Sequence, residues 1–266
     1  MADVVKQHGG AVTAFPKVRP VTVADVMEAL KAGVSDFRTA PAIGLFFGAI
    51  YAFGGILIFA TVFALDVGYL AYPLAAGSVL IGPFVAAGLY EVSREIEAGR
   101  RPTFSTVIRT ALAQRSRELG WMAFVTIFAF IIWMYQVRLL LALFLGFASF
   151  ASLQEFARVL FTTADGLSFL AVGHVMGAVL ALGLFSISVI SFPLLMDRDL
   201  DVVTAMIASV QTVLASPGPM ILYGIIVVAA LVIAVLPLFL GLLVVLPVLG
   251  HATWHLYRRA IVPPAP

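Results

Sequence analysis

Two patterns alternate along the chain: long unbroken apolar runs, and short stretches in which apolar residues recur every three or four positions. From Thr22, with Thr22 and Asp25 as N-terminal caps, Val23, Val26, Leu30, Val34 and Phe37 form one stripe. That spacing predicts an amphipathic helix lying on the membrane or on its neighbours, broken by Pro41. Residues 42–65 follow as a first span, long enough for a hydrocarbon core of about 30 Å. Gly44 and Gly48 within it make a small-residue pair suited to close helix packing. A turn at Asp66-Val67-Gly68 leads to a second span, about 70–92, whose end turns polar at Glu91, Arg94, Glu95, Glu97, Arg100 and Arg101. After Pro102 a second stripe (Phe104, Val107, Ile108, Ala111, Leu112) carries Arg109, Arg115 and Arg117 at its flanks. A third span is expected at about 119–135. Residues 137–150 are apolar but short; they are read as a helix at the outer interface, with a re-entrant segment or a full span as alternatives. The fourth span, about 168–196, has Gly173, Gly177 and Ala181 as a packing seam. Leu200, Val203, Ile207, Val210 and Leu214 form a third stripe, stopped by Pro217 and Pro219. The apolar run 220–256 exceeds one span and divides at Pro237 or Gly241.

The pattern repeats. Residues 25–50 and 201–226 align without a gap, pairing Asp25 with Asp201, Ala29 with Ala205, Pro41 with Pro217 and Gly48 with Gly224. The ends of the second and sixth spans align too, with Pro83 on Pro247, Tyr90 on Trp254, Glu91 on His255 and Arg94 on Arg258. Chance likeness among apolar segments is the competing account. The expected fold is therefore all-α: a polytopic membrane protein of six transmembrane helices, as three repeats of an amphipathic helix plus two spanning helices. Residues 1–21 are expected as a flexible cytoplasmic N-terminus, and 22–260 as a single transmembrane domain with repeats at about 22–97, 103–197 and 200–259. Residues 261–266 form a C-terminal tail. Fixed relations between such units are common in transporters.

Composition removes the soluble alternatives. The chain is 62% hydrophobic and 11% charged, against roughly 25% charged in ordinary soluble domains. Uninterrupted rather than alternating apolar runs favour helices over a β-barrel. There is no cysteine, so disulfides and thiolate metal sites are excluded. The first residues carry Lys6, Lys17 and Arg19 but no apolar signal-peptide core. With six spans and both termini inside, only Arg138 and Arg158 of the 16 Lys and Arg residues fall on the outer side. That asymmetry implies an inner-membrane protein with cytoplasmic termini. A seventh span at 137–150 would put the Arg94–Arg117 loop and the C-terminus on opposite sides.

Three segments resemble a bacterial integral-membrane family, domain of unknown function 2189. They are Gly82-Pro83 with Gly88 to Arg94, Ser191 to Asp199, and Gly250 to Arg258. The resemblance runs over about residues 22–260 and implies a bacterial multi-pass inner-membrane protein. It supplies no activity.

The chemistry available is sparse. His251 and His255 lie one helical turn apart near the end of the last span, a spacing that can hold a metal or offer a haem ligand. His174 is the other intramembrane histidine, and its depth differs from that of His251 by more than about 10 Å at 1.5 Å per residue, so the two cannot share one haem. Glu91 is the better partner, which makes His251, His255 and Glu91 a candidate metal site near the cytoplasmic interface. The structural alternative is that these groups cap helix ends and anchor at the headgroups beside Trp254 and Tyr257. Asp197-Arg198-Asp199 is read as capping rather than ion coupling. No nucleotide-binding loop, nucleophile–base set or zincin motif is present. The Arg94–Arg117 loop lacks aromatic interleaving, so anionic lipid fits it better than nucleic acid.

These readings favour a non-enzymatic protein without a cofactor: an accessory or scaffolding subunit packing against other subunits of a larger membrane complex, an energy-transducing one among the candidates. A transporter of a lipid-like or apolar molecule is the first alternative. A protein binding haem or a divalent metal through the histidine pair is the second.

Overall fold

The computed structural model describes residues 15–63, 71–113, 117–146 and 153–263; the turn at 66–68 and residues 1–14 and 264–266 lie outside them. Among the described residues there are helices and no strands. Helix α1 (Val23–Thr39) opens on a reciprocal cap: Thr22 Oγ1 accepts the Asp25 N–H at 3.2 Å while Asp25 Oδ2 accepts the Thr22 N–H at 2.9 Å. Its buried face is Val26, Ala29, Gly33 and Asp36, whereas Val23, at one edge of the stripe read from the sequence, is exposed. The face is turned because another backbone approaches so closely that only small residues fit there.

Ala40 (φ −131°, ψ 56°) ends α1, and Pro41 starts α2 (Pro41–Phe63) at once. The same junction recurs later in the chain. Ser216 (φ −145°, ψ 60°) ends α9 (Val202–Ala215), and Pro217 starts α10 (Pro217–Val235). A proline in the first turn lacks only an N–H that has no intrahelical partner there. Helix α3 (Ala71–Glu97) stops near Gly99, whose φ of +71° suits a residue without a side chain. Helix α4 (Phe104–Ala113) coincides with the second amphipathic stripe.

Helix α5 (Arg117–Leu145) corrects the reading of 137–150 as a separate interfacial helix. No glycine or proline occurs between Gln136 and Leu145, so the third span continues unbroken for 29 residues, about 44 Å. Gly146, at φ +64°, ends it. The short amphipathic helix lies further on, as α6 (Leu153–Thr162). Helix α7 (Ala164–Ser188), capped by Thr163, starts earlier than the fourth span was placed, and the chain breaks at Val189–Ile190 before α8 (Ser191–Asp197). After α10, Leu238 and Phe239 take positive φ in the turn, and α11 (Leu242–Ala260) follows. The division of 220–256 near Pro237 to Gly241 therefore holds.

Four stretches among the described residues are long and apolar enough to cross a membrane: Pro41–Thr61, Gly120–Leu145, Ala164–Asp197 and Pro217–Val235. With so little polar surface on them, their solvent is a lipid bilayer. The best-buried core forms where α11 meets α1, α3, α8, α9 and α10, around Trp254, Tyr257, Ile190, Leu194, Met220 and Tyr223. Residues 17–21, read as flexible, are pinned to this core. Val18 pairs with Ile261, the Arg19 N–H donates to Ala260 O at 2.8 Å and the Val262 N–H to Lys17 O at 2.9 Å.

Candidate functional site

Helix α11 is the element on which the polar chemistry converges. Glycines of its neighbours let it sit close. A Cβ on Gly33 of α1 would lie 2.5 Å from the Val248 carbonyl oxygen, and one on Gly48 of α2 would lie 2.6 Å from that of Leu243. Gly250 of α11 meets the Leu89 side chain of α3 at a similar distance. The Gly44/Gly48 pair is thus a docking face for α11, as small-residue spacing in membrane helices provides.

Along α11 each polar group finds a partner on a different helix. His251 is fully buried, and its Nδ1 lies 2.8 Å from Ser93 Oγ of α3. Its Nε2 is buried without a hydrogen-bond partner among the described residues. One turn on, His255 Nε2 lies 2.7 Å from Asp36 Oδ2 of α1. Trp254 donates its indole N–H to Glu97 at 3.2 Å, and Arg258 reaches the same carboxylate at 3.0 Å. Tyr257 donates to Asp197 at 2.5 Å, with Arg258 at 3.5 Å from the same oxygen. Arg259 faces Glu28 at 3.4 Å, and its carbonyl accepts from Arg19 at 2.7 Å. Arg258 therefore ties the end of α3 (Glu97) to the end of α8 (Asp197), while His255 and Arg259 hold α1. Carboxylates and cations taken this far from water persist only when paired, and removing one partner is costly.

The three residues singled out as a metal site do not share a centre. His251 is engaged with Ser93 and His255 with Asp36. Glu91, almost fully buried, lies 2.6 Å from the Arg94 guanidinium as an ion pair whose angles fall outside a hydrogen bond. Among the described residues no group of three or more histidine, aspartate or glutamate side chains is placed to hold a metal ion. The reason is geometric: the two histidines are engaged by partners on α3 and α1, whereas Glu91 pairs within its own helix. Asp197 proves to be a strut rather than only a cap. Asp36 and Ser93 were missed by sequence reasoning. Asp36 had a signal, since it continues the Val26-Ala29-Gly33 face by one more turn.

A second candidate is a groove of about 930 Å³ between α5, α7 and α10. Its walls are apolar, from Trp133 and Leu140 on α5 through Gly177 and Ala181 on α7 to Ile225 and Val228 on α10. The Gly173/Gly177/Ala181 seam opens into this groove. A Cβ on Gly173 would reach Leu140 of α5 at 3.8 Å and one on Gly177 the Trp133 ring at 2.8 Å. Gln136 and His174 are the polar residues lining it.

Several bilayer-length apolar helices, locked at one end by a buried polar hub, define a multi-pass helical membrane protein. Over residues 71–197 the chain matches the family described as predicted integral membrane protein, domain of unknown function 2189, so the resemblance read from the motifs holds across that segment. The first motif falls inside it, the second all but its last two residues, and the third lies on α11, which ties them together. No curated protein and no solved structure matches the chain.

Proposed function

We propose that this protein is a non-enzymatic accessory or scaffolding subunit of a larger inner-membrane complex. It is built as three copies of an amphipathic helix followed by two spans, with both termini on the cytoplasmic side. The observation that carries the reading is the outer face of α5, whose apolar window is only 6% buried. Trp121, Phe124, Phe128, Ile132, Tyr135 and Leu139 stand along it at three- and four-residue steps, all exposed. Phe124 and Phe128 stack at 6.3 Å, and Trp121 meets Phe124 edge-on at 6.0 Å. Lipid tails are as apolar as these side chains, so hydrophobicity alone does not call for a partner helix; a rigid aromatic ridge suited to van der Waals packing does. The matched junctions Ala40-Pro41 and Ser216-Pro217 support the repeat. The distribution of Lys and Arg supports the orientation. Arg101 and Arg109, without ion-pair partners among the described residues, suit anionic headgroups.

Mild-detergent extraction of the tagged full chain, followed by mass spectrometry, tests this. A stoichiometric membrane partner is expected, lost in the Phe128→Ala/Tyr135→Ala double variant. Wild-type protein migrating alone would sink the reading. The groove between α5, α7 and α10 favours a second reading, a carrier of a lipid-like molecule.

A further inference from the structure

We infer that the α5–α7–α10 groove is a binding site for a neutral, single-chain lipid, with its ester or hydroxyl head at Gln136 and His174 and its tail running toward Phe185. The inference rests on the second reading above and specifies its ligand.

Four features of the groove lead there. Its volume of about 930 Å³ lies at the upper end of small-molecule sites. No Asp, Glu, Lys or Arg side chain lines it, so a charged headgroup would meet no counter-charge in a medium where uncompensated charge is expensive. The polar groups lie close together in depth. Trp133 is level with Gly177 and Leu140 with Gly173, so Gln136 on antiparallel α5 falls in the layer occupied by His174 on α7. The apolar remainder has the right length. From His174 to Phe185 is eleven residues of α7, about 16 Å, roughly half of a 30 Å hydrocarbon core and hence about one leaflet's acyl chain.

The polar layer also has unused hydrogen-bonding capacity. His174 Nδ1 lies 2.6 Å from the Leu170 carbonyl. A carbonyl only accepts, so Nδ1 carries the proton and Nε2 is left as an acceptor with no partner among the described residues. The Gln136 amide nitrogen is buried without a hydrogen-bond partner. Each such group left unmet in hydrocarbon is costly. A head that both donates and accepts, as a glycerol monoester does, meets the two together.

Full-length protein in nanodiscs, given 1-monoacylglycerol with a brominated acyl chain, tests the assignment through tryptophan quenching, since Trp133 lines the groove. Saturable quenching is expected, displaced by unlabelled monooleoylglycerol but not by oleoyl lysophosphatidylglycerol. Ala181→Phe fills the groove and should abolish the saturable component. Gln136→Leu with His174→Leu should weaken monoacylglycerol about tenfold, two hydrogen bonds' worth, and leave brominated alkane binding unchanged. Quenching that follows the bulk lipid fraction in wild type and is unaltered by Ala181→Phe overturns the groove reading and this inference together. Saturable binding that is lost in Ala181→Phe but indifferent to the Gln136/His174 pair, or that favours the charged lipid, overturns this inference alone.

Discussion

Gly33→Ala is the smallest change that should undo the docking of α1 on α11. The new methyl carbon would stand 2.5 Å from Val248 O, 2.8 Å from Ala252 N and 3.0 Å from Ala252 Cβ. Two of these three are backbone atoms, so no rotamer can relieve the clash and the helices must separate. Overpacking of this kind costs about 1–3 kcal/mol, against which alanine's better helix propensity returns about 1 kcal/mol. Asp36 lies one turn further along the same face, and its 2.7 Å contact to His255 lengthens as the helices part. Leaving a polar group here without its partner costs about 1–3 kcal/mol, so a partial loss places the net effect at about 1–3 kcal/mol. For a chain of this length each kcal/mol moves the midpoint about 2–4 °C. Differential scanning fluorimetry in detergent should therefore show Gly33→Ala several degrees below wild type. Gly183→Ala is the control, since nothing lies within 4 Å of a Cβ there, and it should be neutral or slightly stabilising. A Gly33→Ala variant that melts with or above Gly183→Ala would refute the close approach of these helices.

The Asp36–His255 contact should behave as a coupled unit. Asp36→Ala and His255→Ala are each expected to cost about 2 kcal/mol by leaving the other group without its partner. The double variant should cost at least about 1 kcal/mol less than the sum, and additivity within about 0.3 kcal/mol would dismiss the pairing. Acid should loosen both matched helix starts. Burial works against the Asp25 charge, yet hydrogen bonds from the Thr22 backbone and hydroxyl, with Arg19 and Arg259 nearby, hold its pKa below the ordinary value. The Thr204 hydroxyl and backbone N–H do the same for Asp201. A folded-state pKa below the unfolded value of about 3.9 gives stability that is complete above it and lost as pH falls through it. The midpoint should thus drop between about pH 4.5 and 3, less steeply in Asp201→Asn, and a flat profile over that range contradicts the assignment.

The helical plan was legible because lipid imposes it: runs of apolar residues, stripes at helical spacing and prolines at Pro41 and Pro217 mark elements whatever they pack against. Where the reading failed, the deciding fact lay in another part of the chain. Arg138 suggested an end to the third span, but one charge on the surface of a helix does not break its hydrogen bonds, and α5 runs on to Gly146. The stripe on α1 was rotated because Ala29 and Gly33, unremarkable as hydrophobes, are what a close neighbour needs. His251, His255 and Glu91 were visible as polar residues at a span end. Ser93 and Asp36 engage the two histidines from other helices, across 158 and 219 residues, pairings that leave no local trace, while Glu91 pairs within α3 with Arg94. The groove was not legible at all, since the Gly173/Gly177/Ala181 seam reads the same whether a helix or a void lies against it.

The embrace of α1 by α11 also sets how long α1 must wait for its partner during synthesis. Helix α1 has its main partner in α11, with Gly33 waiting on Val248 and Ala252 and residues 17–21 waiting on Ala260 to Val262. At about 5–20 residues per second, roughly 220 residues of synthesis separate them, about 10–45 seconds. During that interval α1 must ride on the bilayer surface with Asp36 unpaired and its small-residue face unoccupied. Chains truncated anywhere before residue 251 lack both histidines and both terminal arginines, so the quality-control machinery would meet an intact set of earlier spans with a loose amphipathic helix at one end.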